Sequence, residues 1–310
     1  MQVWLSRRFA SSSASAAARY LADCRLAARQ IKVLDSFHDL NEGASWPDTM
    51  AAAYDAQREL HGILAQHGHH VVGHKVGCTT PVMQRYLSVP HPCSGAILSS
   101  GLWRSEPDVP LQLDCSRHVR LGLECELAVV LAAPLPPGGG LPEAARAVES
   151  VHAAVELVDD RYEDFEARRP GMLAWVADDF FHAGSALGPA LEADPLSLDS
   201  LHGAMWVDGA LAGSGVGADI ISGHPLNALV WLANSQAAHA MGGLPAGWVV
   251  SLGSVCRTHW VQRKPSTKVR VTFGREAFGT EAAPLAGHFE ASSPPAALDL
   301  ELLCADHGPD

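Results

Sequence analysis

A chain of 310 residues, 47% hydrophobic and 18% charged, can bury a sizeable core as one large domain or two small ones. Its net charge of −12 argues against nucleic acid or an anionic membrane surface as a main partner, and no apolar run approaches the length of a membrane span. The seven cysteines form no C-x-x-C pair and several sit in apolar contexts (Cys78, Cys125, Cys256), which reads as reduced buried thiols in a reducing compartment.

The N-terminal stretch "MQVWLSRRFASSSASAAARYLA" is rich in Arg and Ser and has no acid before Asp23, the pattern of a mitochondrial transit peptide. However, "ASAAARYLADCRLAARQIKVL" also reads as a structural first helix, which leaves only residues 1–15 as an extension. The expected location is therefore the cytoplasm, with a mitochondrial address as the alternative. Residues 16–70 read as a helical N-terminal portion: between Pro47 and Gln66, Met50, Tyr54, Leu60 and Leu64 recur at three- and four-residue steps.

"HHVVGHKVGCTT" opens a core expected over 71–279, as a strand leading into a turn, and "VPHPCSGAIL" follows as a loop marked by Pro, Gly and Ser. "VRLGLECELAVVL" is a strand, "APLPPGGGLP" a breaker, and "EAARAVESVHAAV" a helix leading into "ELVDDRYEDF". "AMWVDGALAGSG" predicts a hairpin with Asp208-Gly209 as a type I′ turn. "HPLNALVWLANSQAAHAMGG" predicts one helix, with Pro225 in its first turn and Gly242-Gly243 closing it. "GWVVSLGSV" and "KVRVTF" are strands, and residues 280–310, rich in Ala, Pro and Ser, read as a poorly ordered tail. Strands and helices mix without a strict βαβ rhythm, which favours an α+β fold. Gly213, Gly215 and Gly217 follow a hairpin turn rather than opening a helix, so they make no dinucleotide fingerprint.

The strand 119–131 poses the chemical question. Side chains alternate across a strand, so Glu124 and Glu126 share a face with Gly122, Ala128 and Val130, an unusual setting for two like charges. Such a pair repels unless water or a cation lies between. Hard cations such as Mg²⁺ want several carboxylate oxygens. Glu156, in the apolar run "AAVELVDDR", is the candidate for a third. Lys75, flanked by valines and glycines, is either a strand lysine that snorkels or a point charge for a carboxylate or enolate. His67, His69 and His70 lie in a loop-like segment and read as surface residues.

Taken in order, "VVGHKVGCTT", "LGLECELAVVL", "ELVDDR", "ADDFFHAGSALG", "HPLNALVWLAN" and "VVSLGSV", with "AAAYDAQ" before them, resemble the 2-keto-4-pentenoate hydratase and 4-oxalocrotonate decarboxylase branch of the fumarylacetoacetate hydrolase superfamily. The resemblance runs from about Ala16 to Gly279. It implies a mixed β-roll with flanking helices and a helical N-terminal portion. It also implies Mg²⁺ or Mn²⁺ held by Glu124, Glu126 and Glu156, with Lys75 at the family's strand lysine. A 2-oxo or 2-enol carboxylic acid as ligand and homo-oligomeric assembly are implied too, and the branch pairs hydratases with decarboxylase partners.

This chain departs from the family in two places. Cys93, Ser94 and Gly95 stand where an acid, an aromatic and a glycine are usual. Asp178, Asp179, Phe180, Phe181 and His182 replace an "ADN" followed by small hydroxyl residues, so an acceptor stands where an amide donor is usual. The expected activity is a metal-dependent lyase that adds water to a 2-hydroxy-2,4-dienoate and yields a 4-hydroxy-2-oxo acid. Its alternatives are a 4-oxalocrotonate-type decarboxylase, an acylpyruvate hydrolase, or a non-catalytic accessory subunit. His182 is the candidate for proton transfer, Asp178 a second candidate catalytic residue, and Ser254 a candidate substrate contact beside Lys75.

Overall fold

The computed structural model describes residues 11–32, 46–106, 109–164, 166, 169–278 and 297–304. The chain opens with two helices, α1 (Ser11–Leu26) and α2 (Met50–Gln66). Thr49 caps α2 by accepting from the Ala52 amide at 3.2 Å. Then come β1 (Val71–Gly77), α3 (Pro81–Leu87), β2 (Cys93–Leu98), β3 (Leu102–Arg104), β4 (Leu111–Asp114) and β5 (Leu121–Leu131). The middle of the chain forms α4 (Leu141–Ala147), β6 (Val148–Asp159), α5 (Met172–Ala177), β7 (His182–Ala190), β8 (His202–Val207) and β9 (Ala210–Val216). Last are α6 (Leu226–Ala233), α7 (Gln236–Met241), β10 (Val249–Ser254), β11 (His259–Trp260), β12 (Ser266–Gly274) and β13 (Ala297–Leu303). No helix among the described residues is long and apolar enough to cross a membrane.

The larger sheet runs β2-β1-β10-β5-β6-β7-β3, with β11 continuing the pairing of β5. The smaller runs β4-β13-β12-β8-β9. β1/β10, β3/β7 and β4/β13 are parallel and the other pairs antiparallel, so the architecture is a mixed α+β roll. Strand β5 shows how alternation divides the interior. Leu123, Cys125, Leu127 and Val129 enter the main core, shared with the second sheet through Val269, Val271, Leu298 and Leu300. On the opposite face Ala128 and Val130 pack with Ile97, Ala154, Leu187 and Val249 inside the curl of the larger sheet, where β2 comes against β7. That face carries Glu124 and Glu126 further along. Helices α1, α2 and α5 form a third cluster around Leu21, Leu60 and Trp175.

Several expectations are corrected here. The segment "PCSGAIL" holds a strand, β2, antiparallel to β1. The helix expected through residue 155 ends at Ala147, because the alternating β-branched Val151 and Val155 suit the strand β6 that follows at once. The single helix over 225–243 is two helices. The Ser235 hydroxyl caps the second by accepting from the Ala238 amide, and the Asn234 side chain turns aside to accept from the Gly138 amide. The hairpin at Asp208-Gly209 has both central residues at positive φ (51° and 82°), as a type I′ turn requires.

The tail expected to be poorly ordered contributes β13, which lies between β4 and β12. "ALDLELL" alternates strictly: Leu298, Leu300 and Leu302 are buried, while Asp299 pairs with Arg270 at 2.6 Å. The same pairing corrects the reading of all cysteines as reduced. Parallel register between β4 and β13 brings Cys115 and Cys304 to a Cα separation of 5.0 Å, and they are disulfide-bonded. Five cysteines are free, four of them buried. Residues 1–10, 279–296 and 305–310, on which the rest of the extension and tail expectations fall, lie outside the described residues.

Candidate metal centre and active site

Glu124 and Glu156 stand directly opposite each other in the β5–β6 register, and Glu126 lies one step along on the same face, opposite Ala154. One carboxylate oxygen from each of the three falls within 4.8 Å of the others. Two unit charges at about 4.8 Å repel by roughly 3.5 kcal/mol at an effective dielectric of about 20. A bare triad is therefore poorly suited to carrying three charges. Burial, and next the charge of Glu156, push Glu124 up to about 7 and Glu126 well above the carboxylate range. Burial would raise Glu156 as well, but the Lys75 ammonium and the His182 hydrogen bond hold it down to about 2.

Each carboxylate has a polar support. The Glu124 Oε1 accepts from the Thr258 hydroxyl at 2.5 Å, and Glu126 Oε2 accepts from the Ser251 hydroxyl. Glu156 Oε1 receives both His182 Nδ1 at 2.8 Å and Lys75 Nζ at 3.1 Å. This leaves Glu126 Oε1 and Glu156 Oε2, both buried, with no hydrogen-bond partner among the described residues. Three converging carboxylates, two of them with a buried oxygen left unpaired, are the donor set a hard divalent cation takes, so the residues fit the expected metal.

Lys75 comes from β1, where it pairs with Ser251 of β10 and Gly95 of β2. It is 2% exposed and donates to the Phe180 carbonyl at 2.6 Å, with its Nζ 5.0 Å from the Phe180 ring centre. Burial would lower its pKa, but Glu156, followed by Glu124 and Glu126, holds it above the ordinary value, so the side chain stays charged. The Phe180 carbonyl is aimed by an unusual turn: Asp179, Phe180 and Phe181 all take left-handed φ (55°, 49° and 68°). Each such non-glycine residue costs on the order of 1 kcal/mol or more.

What holds that turn is its own first residue, Asp179, and Asp178 just before it. Asp179 is sealed from solvent and accepts from the Ala96 amide at 2.9 Å and from His61 at 2.7 Å. Burial would raise its pKa, yet His61 and Arg25 keep it below the usual range. Asp178 is bound by Arg25 Nε at 2.8 Å and by Arg161. Two glycines permit the close fit, since a Cβ on Gly95 would lie 2.2 Å from the Asp179 carbonyl oxygen and one on Gly77 would lie 2.7 Å from the Phe180 ring.

The structure thus gathers Glu124, Glu126, Glu156, Lys75 and His182 at one site. It places Asp178 behind the site, in a guanidinium clamp, and turns the Ser254 hydroxyl to the Cys125 and Cys256 carbonyls at 3.2 and 2.8 Å. Ser251, Thr258, His61 and Arg25 were not read from sequence, and Asp179 was read only as part of a departure from the family pattern. Alternation along "VVSLGS" could have singled out Ser251, which pairs with Lys75, whereas the shift in register between Ser251 and Ser254 hid the distinction.

Fold and site together define an enzyme of the fumarylacetoacetate hydrolase type, with a carboxylate site suited to a divalent metal. No family model matches the sequence. The chain is 33% identical over 214 residues to a 2-oxo-hept-4-ene-1,7-dioate hydratase of Escherichia coli, spanning 67% of this chain and 78% of that protein. It is 30% identical over 222 residues to a 4-oxalocrotonate decarboxylase of Pseudomonas putida, covering 70% and 81%. A solved 4-oxalocrotonate decarboxylase of Pseudomonas putida G7, complexed with magnesium and adipate, superposes with a TM-score of 0.74 at 24% identity, over 94% of this chain and 97% of that one, a likeness of fold. The chain belongs to the hydratase and decarboxylase branch of the fumarylacetoacetate hydrolase superfamily.

Proposed function

We propose that this protein is a divalent-metal-dependent hydratase that adds water to a 2-hydroxy-2,4-dienoate and yields a 4-hydroxy-2-oxo acid, with Mg²⁺ or Mn²⁺ held by Glu124, Glu126 and Glu156. The observation that carries the reading is the convergence of three carboxylates within 4.8 Å, two of them buried and each with an oxygen unpartnered among the described residues, next to the buried Lys75 ammonium. When bound, the cation supplies a Lewis acid for the carboxylate and adjacent oxygen of a 2-oxo acid. Lys75 Nζ places a fixed positive charge where negative charge develops on the substrate. His182, oriented by Glu156 through Nδ1, keeps Nε2 without a protein partner among the described residues, the atom we assign to proton transfer. The apolar floor of Ala128, Val130, Ala154 and Leu187 closes the curl beneath the site and excludes water from that side. Asp178 and Asp179 position the turn that orients Lys75.

Decarboxylation is the second reading, favoured by the nearly equal likeness to a decarboxylase. Assembly as a homo-oligomer, alone or with a decarboxylase partner, is part of the proposal and is supported by Val82, Met83 and Tyr86, exposed together on α3. The test is an ultraviolet assay with freshly generated 2-hydroxypenta-2,4-dienoate, with Mg²⁺ and then with EDTA, and product masses recorded. A metal-dependent gain of one water supports the hydratase. Loss of CO₂ from 4-oxalocrotonate without hydration supports the decarboxylase, and turnover of neither would remove both.

A further inference from the structure

The glutamate-bearing face of β5 continues beyond the triad to Gly122, and Arg120 lies one residue before the strand begins. Glu126 and Glu156 are each 1% exposed, whereas Glu124 is only partly covered, so the site opens toward this end of the strand. Trp260 pairs with Gly122 in the β5–β11 register, and its ring fills the space above that glycine, where a Cβ would stand 3.0 Å from Trp260 Cε3. The Arg120 guanidinium lies over the same ring, 4.4 Å from its centre. Gly122 thus admits an aromatic shelf, and the shelf holds a cation on the face that carries the metal ligands.

The electrostatics favour an anion there. Arg120 Nη1 pairs at 3.0 Å with Asp160, which is buried, while the Arg120 side chain itself is 47% exposed. A guanidinium has five N–H donors, so one pairing does not exhaust it. Arg120 also lines a cavity of about 170 Å³ with Arg263 and His118, and no acidic residue is in its wall. The carboxylates beside Arg120 are buried and bound, Asp159 to the Val119 and Arg120 amides and Asp160 to the Arg120 guanidinium, whereas the cavity wall is basic. Arg120 lies four residue steps from Glu124, about 14 Å along extended backbone, a gap that an arginine side chain and a metal-held acid of about six carbons bridge together.

We propose that Arg120, braced on Trp260, is a specificity-determining residue that binds a second carboxylate at the end of the substrate remote from its 2-oxo acid group. The inference rests on the proposed 2-oxo acid chemistry and narrows it to dicarboxylic substrates. Stacking fixes the guanidinium plane before the ligand arrives, so a bidentate contact forms at little cost in ordering. Lysine at this position would keep the charge but lose the shelf and the fork.

The test compares 2-oxoadipate with 2-oxohexanoate, acids of equal carbon count that differ in the terminal carboxylate, by titration calorimetry on the magnesium-loaded protein. The wild type is expected to bind the diacid at least about tenfold more tightly. In R120M the ratio of affinities falls close to one, and in R120K it lies between, with melting temperatures recorded to confirm folded protein. Equal affinities in the wild type, or an undiminished ratio in R120M, would overturn the assignment of Arg120. Binding of neither acid would overturn the 2-oxo acid reading itself, a different result from binding without discrimination.

Discussion

Lys75 Nζ lies 3.1 Å from Glu156 Oε1, and both residues are 2% exposed or less. The pair makes Glu156 the one carboxylate of the triad that keeps its charge easily, and in the proposed reaction Lys75 is the fixed positive charge for a substrate oxygen. Replacing Lys75 by Met should lower turnover by about two to three orders of magnitude, the range for removal of one preorganised charge-stabilising group. Magnesium binding should persist, because the three carboxylates remain. Steady-state kinetics and calorimetry on the same preparation check this, and equal loss of both would make Lys75 a structural partner only.

The raised pKa values of Glu124, near 7, and of Glu126 carry a stability consequence. Both exceed the unfolded value of about 4.5, so between the two values the folded state binds more protons and its stability falls as pH rises. The slope is up to about 1.4 kcal/mol per pH unit for each group. A divalent metal replaces those protons and is favoured by their departure. The rise in melting temperature on adding Mg²⁺ should therefore be larger at pH 8 than at pH 6, as scanning fluorimetry would read. An equal rise at both would place the metal on other ligands.

Asp178, expected from sequence to be catalytic, is fully buried between Arg25 and Arg161. Removing it strands two guanidinium groups, one of them buried, so Asp178→Ala should cost about 3–5 kcal/mol in urea unfolding. A variant of unchanged stability but abolished turnover would return Asp178 to the chemistry.

His182→Gln tests proton transfer. The amide can still donate to Glu156, so magnesium affinity should stay within a few fold, while kcat drops by about two to four orders of magnitude. Retained kcat would leave His182 as a support for Glu156 alone.

The glutamate strand was legible because period-two alternation alone puts Glu124 and Glu126 on one face; Glu156 and Lys75 stood out as charges in apolar runs, and the family resemblance joined them to the pair. The clamp behind the site was not. Arg25 belongs to a helix, Asp179 to a turn of left-handed residues, and His61 to another helix; only tertiary packing brings them together. β13 was missed because a compositional bias across 280–310 outweighed the short alternation of "ALDLELL". The disulfide was missed for a similar reason, since Cys115 and Cys304 are 189 residues apart and meet only through strand pairing.

The most direct test of the metal centre is an anomalous difference map from crystals of this protein grown with Mn²⁺. The account predicts one strong peak within coordinating distance, about 2.2 Å, of Glu124, Glu126 and Glu156 oxygens, and its loss in Glu126→Gln. A peak elsewhere, with the triad empty in a folded and active protein, would contradict it.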